Sequence, residues 1–395
     1  MQLYFHVGDH KTGSSSIQRA LFDGAWVCDS RSLAYPPYIS AASLARALYV
    51  PAMRRRRKNL FQETADWLSG ATGDVAVISA EHFSHVEPQL LNRMTGRFLP
   101  DHAETAKFLA YVRPHPGSIV SHYTQRAKSG TSPQTLTEFA ENVSRTEKFE
   151  YAPRFGDWRR VFGDRFILKP MIRSELKDGD VVKDFLHEVL DGAQFALKEI
   201  PRTNESAEVY ELAIIRRVQS DVQRRGFPPK TGVPLGAALA DALAAARKGR
   251  AMGGRVRLHR DLARKINARY QRDARVMDAE FFTGAPLLVS ALSAAEAEAA
   301  PEEQTHDLHV LFEADRLAAL DQAIGALIDL VEAKGEAWTS VYRFDRGGRR
   351  NLGGKRPDVD DPQVRTQASE VSAAIDRVVE AGHDLFHSGD RAQSA

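Results

Sequence analysis

Short apolar runs spaced by amphipathic stretches organise the first half of the chain. Gln2–Val7 reads as a strand, and beyond Gly8 and a polar turn the stretch Ile17–Leu21 continues as a helix. Asp74–Ser79, Ala106–Arg113 and Phe166–Pro170 repeat the strand signal, with helical material between them that includes the stretch around Phe155–Phe162. Runs that are apolar throughout, rather than alternating, fit strands covered on both faces. They predict an α/β fold with a central parallel sheet, a P-loop-like strand–loop–helix opening and flanking crossover helices.

Beyond Asn204 the pattern changes to Ala, Leu, Arg and Glu, as in Leu235–Arg247 and Ala314–Ala333, and predicts a mostly helical second half. Ala291–Glu303 reads as a linker or an exposed helix. Gly347–Pro362 is crowded with Gly, Arg, Asp and Pro and is too polar to bury a core of its own. Val364–Leu385 reads as a last helix. The expected division is an α/β domain over 1–285, a helical C-terminal extension over 286–345 and a flexible basic tail over 346–395 carrying the terminal helix.

Composition narrows the classes. The 395 residues, 43% of them hydrophobic, suffice for one large core or two modest ones, and a net charge of +2 provides no global field toward nucleic acid or an anionic membrane. Anion binding therefore has to come from local clusters. The single cysteine, Cys28, excludes an internal disulfide and any cysteine-built metal centre and reads as a packed small residue. No apolar run approaches the ~20 residues of a membrane helix, and the first strand has no basic segment or small-residue cleavage site beside it. A cytoplasmic protein that starts directly in folded structure is expected.

The segment His6–Gln18 carries the most chemistry, because Gly8, Lys11, Thr12, Gly13, Ser14, Ser15 and Ser16 fall at the strand-to-helix turn. Amides at a helix start and the helix dipole favour an anion, glycine allows close approach of the backbone, hydroxyls add donors and Lys11 adds a mobile charge. The order differs from G-x-x-x-x-G-K-[ST], since Lys11 precedes Gly13, which counts against ATP with Mg²⁺. The plain alternative is a turn whose helix is N-capped by Ser14 or Ser15. A second element follows in Tyr111–Tyr123: an apolar strand ends in Arg113, Pro114 and Pro116 turn the chain, and a helix begins near Ser118 and carries Ser121. Arg113 offers a fork of donors and Ser121 a hydroxyl, a pairing suited to a phosphate monoester. Its plain alternative is an arginine bonded to a carboxylate and a serine bonded to its own helix.

Together, His6-x-Gly8-x-x-Lys11-Thr12-Gly13-x-x-Ser16 and the Arg113/Ser121 pair resemble the 5′- and 3′-phosphate signatures of the PAPS-dependent sulfotransferases, PAPS being 3′-phosphoadenosine 5′-phosphosulfate. Tyr151–Gly163, Asp178–Leu186 and Asn204-x-Ser206 after Pro201 are similar to segments of bacterial members, so the resemblance spans about Met1–Gly284. It implies that Lys11, Thr12, Gly13, Ser14, Ser15 and Ser16 hold the 5′-phosphosulfate and that Arg113 and Ser121 hold the 3′-phosphate. The chain departs from many members in having Ser14-Ser15 where they have two threonines, and no adenine-stacking aromatic is matched. Arg349-Arg350 or Lys355-Arg356 could supply a late basic element; the alternative is a solvated tail.

Transfer of a sulfuryl group to an acceptor builds charge on the bridging oxygen, the place for Lys11, and needs a base for the acceptor proton. The end of the second strand run supplies Glu81 and His82; the resemblance favours Glu81, against a plain helix cap and a surface histidine. His10 is either a substrate contact or a solvent-facing loop residue. His82, His85, His102, His115 and His122 show neither His-Glu-x-x-His nor a tetrahedral Cys/His set, so no metal is expected. The run Arg54–Lys58 suits an anionic glycan or is a solvated helix face. The expected activity is sulfation by PAPS, as co-substrate, of a hydroxyl or amine on a small molecule or glycan, with no nucleic-acid or membrane partner. The rivals are an ATP-dependent small-molecule kinase and a non-catalytic nucleotide- or polyanion-binding module.

Overall fold

In the computed structural model, residues 1–130, 134–198, 207–247, 253–345 and 359–387 are described. Pro201, Asn204, Ser206, Arg349, Arg350, Lys355 and Arg356 lie outside them. The chain order is β1 (Gln2–His6), α1 (Ser14–Phe22), β2 (Trp26–Val27), β3 (Leu33–Ala34), α2 (Ala42–Tyr49), α3 (Arg57–Gly70), β4 (Val75–Ser79), α4 (Pro88–Phe98), β5 (Lys107–Val112), α5 (His115–Lys128), α6 (Leu136–Ser144), α7 (Tyr151–Phe162), β6 (Phe166–Pro170), α8 (Val181–Val189), β7 (Ala196–Leu197), α9 (Val209–Arg224), α10 (Pro229–Arg247), α11 (Arg260–Phe281), α12 (Leu287–Ala297), α13 (Leu308–Leu311), α14 (Ala314–Asp345) and α15 (Pro362–His387). The α/β class, the parallel sheet and the helical C-terminal region are those the sequence pattern predicts.

Five strands form one parallel sheet in the order β3-β4-β1-β5-β6. Its central strand is β1, whose Leu3, Tyr4, Phe5 and His6 are all buried. Tyr4 and His6 lie on the face covered by α1 and α8, where Ile17, Leu21, Val181, Phe185 and Leu186 form a core with Val77, Leu109 and Tyr111. Phe5 points to the other face, stacks on Phe108 at 5.2 Å and meets Phe83 edge-on, and Phe108 stacks in turn on Phe162 of α7 at 3.7 Å. With helices on both sides, no strand position can be polar without a partner, which is why the runs read as continuously apolar.

The order places the outgoing connection of β1 toward β3 and that of β5 toward β6. The strand order therefore reverses between β1 and β5, and in open α/β sheets the crevice at the carboxyl ends of the strands at such a point is where ligands sit.

The chain divides into two compact units that alternate along the sequence, the first from Met1–Ser118, Val143–Thr203 and Arg264–Ala297, the second from Ile119–Asn142, Asn204–Ala263 and Glu298–Ala395. A cut in sequence order into 1–285, 286–345 and 346–395 does not follow this alternation. The second unit is helical. In it α14 and α15 pack along one another, and Gly382 of α15 comes so close to α9 that a Cβ there would stand 2.5 Å from Ile214 Cδ1. Helix α10 tolerates Pro234 in its interior because the Lys230 carbonyl, which loses its helical donor, accepts instead from Arg343 at 2.9 Å. The stretch Ala291–Glu303 is helical to Ala297 and irregular beyond it, and Val364–Leu385 falls inside α15.

Candidate functional site

Three loops leave the carboxyl ends of adjacent strands β4, β1 and β5, and they carry Glu81, Lys11 and Arg113 respectively. The loop after β1 is shaped by its own polar groups. Asp9 accepts from the His10 amide at 2.9 Å, and the Thr12 hydroxyl donates to the Asp9 carbonyl at 2.7 Å. Arg154 of α7 grips the Asp9 carboxylate with both guanidinium ends, at 3.1 and 2.7 Å. Burial alone would lower Arg154; Asp9 outweighs it and raises the guanidinium above its ordinary value. Within this clamp Lys11 takes φ 65° and Gly13 φ 84°. Gly13 is required twice over, since a Cβ there would also stand 2.6 Å from Val181 Cγ1. The segment Asp178–Leu186 thus positions the loop: Asp180 caps α8 by accepting from Val182 and Lys183, and Val181 of that first turn packs under Gly13.

Helix α1 begins at Ser14, with Gly13 as N-cap and no side-chain cap. The capping alternative for Ser14 and Ser15 is therefore not what the structure shows. Ser14 Oγ is buried, 3% of the residue being exposed, and has no hydrogen-bond partner among the described residues. Ser15 is exposed and Ser16 half-buried, while Thr12 is turned inward and spent on the loop. Beneath the loop His6 Nδ1 pairs with Ser79 Oγ at 2.8 Å, which also accepts from Gln18 at 3.2 Å, tying β1, β4 and α1 together. Burial brings the His6 imidazole down to about 4, so it stays neutral.

Arg113 leaves β5 half-buried, and its stem runs along Gly117 in the first turn of α5. Ser121 lies one turn beyond Gly117 on the same face of that helix. Arg113 Nε is buried without a hydrogen-bond partner, and no carboxylate among the described residues pairs with this guanidinium. Burial lowers its pKa, with the neighbouring Tyr151 acting the other way. The carboxylate-bound alternative is thereby set aside. His115, next in line, is a structural residue: it is stacked between Tyr151 and Tyr270 and bonded through Nε2 to Asp273 at 2.9 Å. Asp273 also accepts from the Tyr151 and Ala152 amides, so it fixes the start of α7, and with it Arg154.

Glu81 opens a short 3₁₀ turn, Glu81–His85, and does not cap it. It pairs with His10 at 3.5 Å. That contact lowers the Glu81 carboxyl, burial opposing it and the charges of His10, His82 and Lys11 assisting, so the carboxylate stays ionised beside Lys11. His82 is hydrogen-bonded to Tyr49 OH through Nδ1 at 3.1 Å, and burial lowers its pKa. His10 Nε2 meets His85 Nε2 at 3.0 Å, and one nitrogen from each of His10, His82 and His85 falls within 4.8 Å of the others. The fold thus makes a histidine set that motif spacing did not show; only the His82-x-x-His85 spacing hinted at it. Asp9, Arg154, Tyr49 and Asp273 carried no functional signal of their own, although Arg154 lies in the Tyr151–Gly163 segment. Arg54, Arg55, Arg56 and Lys58 are exposed, whereas Arg57 folds back onto the Ala47 and Leu48 carbonyls at the end of α2.

No family model, curated protein or solved structure matches the chain. The case for its function is carried by these residues. No helix among the described residues is long and apolar enough to cross a membrane.

Proposed function

We propose that this protein is a sulfotransferase that moves a sulfuryl group from PAPS to a hydroxyl or amine acceptor, with a carbohydrate as the acceptor class. The observation that carries the reading is Arg113: a half-buried guanidinium without a carboxylate partner among the described residues, at the carboxyl end of β5 and across the strand-order reversal from the start of α1, where Gly13 is the N-cap and no side chain caps. Two anion-seeking elements on neighbouring strands suit a ligand with two phosphate groups. The amides and hydroxyls of Gly13, Ser14, Ser15 and Ser16 with Lys11 take the 5′ group, and Arg113, with Ser121 beyond it on α5, takes the 3′-phosphate. The buried, unpartnered Ser14 Oγ supports the same assignment. Thr12 contributes through the loop it holds.

In the reaction the acceptor oxygen or nitrogen forms a bond to sulfur while the bond from sulfur to the bridging oxygen breaks. Lys11 stabilises the charge that collects on the departing nucleotide, and Glu81, kept ionised by its neighbours, accepts the acceptor's proton. His82, neutral and held by Tyr49, is the other base within the same loop. Calorimetric titration at fixed salt with 3′-phosphoadenosine 5′-phosphate, AMP and ATP–Mg²⁺ tests the proposal. Micromolar affinity for the bisphosphate with much weaker AMP binding is expected. Preference for ATP–Mg²⁺ overturns it in favour of a kinase, and binding to none of the three removes the nucleotide site. Turnover that survives Glu81→Gln with His82→Gln removes the assignment of the base.

A further inference from the structure

Sequence separation hides a constellation that no step above uses as a unit. His82 and His85 stand at the first and fourth positions of the His82–His85 stretch of the 3₁₀ turn Glu81–His85, and in a 3₁₀ helix side chains at i and i+3 lie one above the other. His10 reaches them from the loop after β1, which the Asp9–Arg154 clamp holds in place. The His10 and His85 Nε2 atoms are 3.0 Å apart, and two nitrogens at ~2.05 Å from one tetrahedral ion stand ~3.3 Å apart. His82 completes the group within 4.8 Å.

We propose that His10, His82 and His85 form a three-histidine site for a late first-row divalent cation of the Zn²⁺ type, with one coordination position open to an oxygen ligand. Three imidazoles and no thiolate select this class of ion over Mg²⁺ or Ca²⁺, which take oxygen ligands. The outer partners are those such a site needs. Tyr49 OH holds His82 Nδ1 at 3.1 Å, and Glu81 Oε2 stands 3.5 Å from His10 Nδ1, so two of the three rings are oriented by a second group. The three groups are half-buried or exposed, so an ion and a water reach them from solvent. The site shares Glu81 and His82 with the proposed base of the transfer reaction but none of the residues proposed to hold the nucleotide, so it does not depend on the nucleotide reading.

The test is a competition titration of chelator-stripped full-length protein with Zn²⁺ against a chromophoric indicator, followed by Co²⁺ loading read by visible absorption. The expected result is one Zn²⁺ per chain and the visible Co²⁺ bands of a low-coordinate nitrogen site. His10→Ala, His82→Ala and His85→Ala are each expected to weaken binding at least ~100-fold, and Tyr49→Phe ~10-fold, whereas His102→Ala and His187→Ala leave it unchanged. His85 is exposed, so His85→Ala keeps the test sound if either other variant folds poorly. Binding that is absent or super-stoichiometric, survives His85→Ala, or falls equally in the two control variants overturns the site. Arg113→Met is expected to keep the Zn²⁺ affinity of the parent and His85→Ala to keep its nucleotide affinity, so failure of either proposal is read separately from the other.

Discussion

Replacing Arg113 by Met is expected to move two properties in opposite directions. Met keeps an unbranched apolar stem along Gly117, where Arg113 Cγ and Cδ come to 3.5 Å of the Cβ position, and it removes the guanidinium. The Nε that disappears is buried and unpartnered, and leaving such a donor unmet costs about 1–3 kcal/mol. The unliganded variant should therefore be as stable as the parent or about 1 kcal/mol more stable, much of the cost being already offset by the exposed part of the fork. An anion held by that fork gains charge-assisted hydrogen bonds of about 1.5–3 kcal/mol each. Losing about 3 kcal/mol weakens 3′-phosphoadenosine 5′-phosphate roughly 100-fold, while AMP, which has no 3′-phosphate, should change by less than about 3-fold. Both quantities can be read on one preparation, affinity by calorimetry and stability by urea titration. A Trp338→Phe background confines the fluorescence to Trp26, Trp67 and Trp158 of the first unit. A variant that loses more than about 1 kcal/mol of stability and binds both nucleotides as the parent does refutes the reasoning, because the guanidinium would then be a structural group.

Gly13→Ala should cost about 1–2 kcal/mol for the left-handed backbone at φ 84° and about 1–3 kcal/mol more for the 2.6 Å approach to Val181 Cγ1. Adding Val181→Ala should return only the second part, and a Gly13→Ala stability within about 0.5 kcal/mol of the parent in the same urea assay contradicts the geometry. Lys11→Ala should lower the turnover of PAPS far more than the affinity for the bisphosphate product, in steady-state kinetics beside calorimetry; equal losses remove the transition-state role. His6 supplies the pH dependence. Its folded value near 4 lies below the ordinary 6.5 because of burial, so between the two only the unfolded chain is protonated. Stability from this group is full above about pH 6.5 and falls with pH toward 4, by roughly 3 kcal/mol in all. His6→Gln should flatten that part of a urea-derived stability profile, and an unchanged slope would place its origin elsewhere.

The sheet was legible because its physics is local. Phe5, Val77 and Phe108 each sit in a run that must be apolar on both faces, and such runs stand out without any knowledge of the neighbouring strand. The turn between β1 and α1 stood out for a similar reason, since Gly8, Lys11 and Gly13 fall within one short stretch. The small strands β2, β3 and β7 were not: each has two residues, too few for any period. Neither was the alternation of the two units, because α5 and α11 read as ordinary helices although the boundary between units falls inside each.

What escaped at the site shares a single cause. Asp9 and Arg154 are 145 positions apart, His10 and His85 are 75 apart, and Asp273 stands 122 beyond the Tyr151 amide it binds. None of these residues is unusual where it stands, and each acquires its role from a partner that only the closed sheet delivers. The partners form a continuous chain of constraint: Asp273 fixes the first turn of α7, α7 aims Arg154, Arg154 holds Asp9, and Asp9 holds the His10 amide. A non-glycine residue at φ 65° costs about 1 kcal/mol when unsupported, and Lys11 adopts it between Asp9, which Arg154 holds, and Thr12, whose hydroxyl is bonded to the Asp9 carbonyl. The loop that carries Lys11 is thus held by groups outside the proposed nucleotide-binding set, and His10, which meets His85, lies in the same loop. One structural device sets both the proposed sulfuryl-transfer site and the proposed cation site, which is why the two meet at the loop after β1 and share Glu81 and His82, while the side chains proposed to hold the nucleotide phosphates take no part in the cation site.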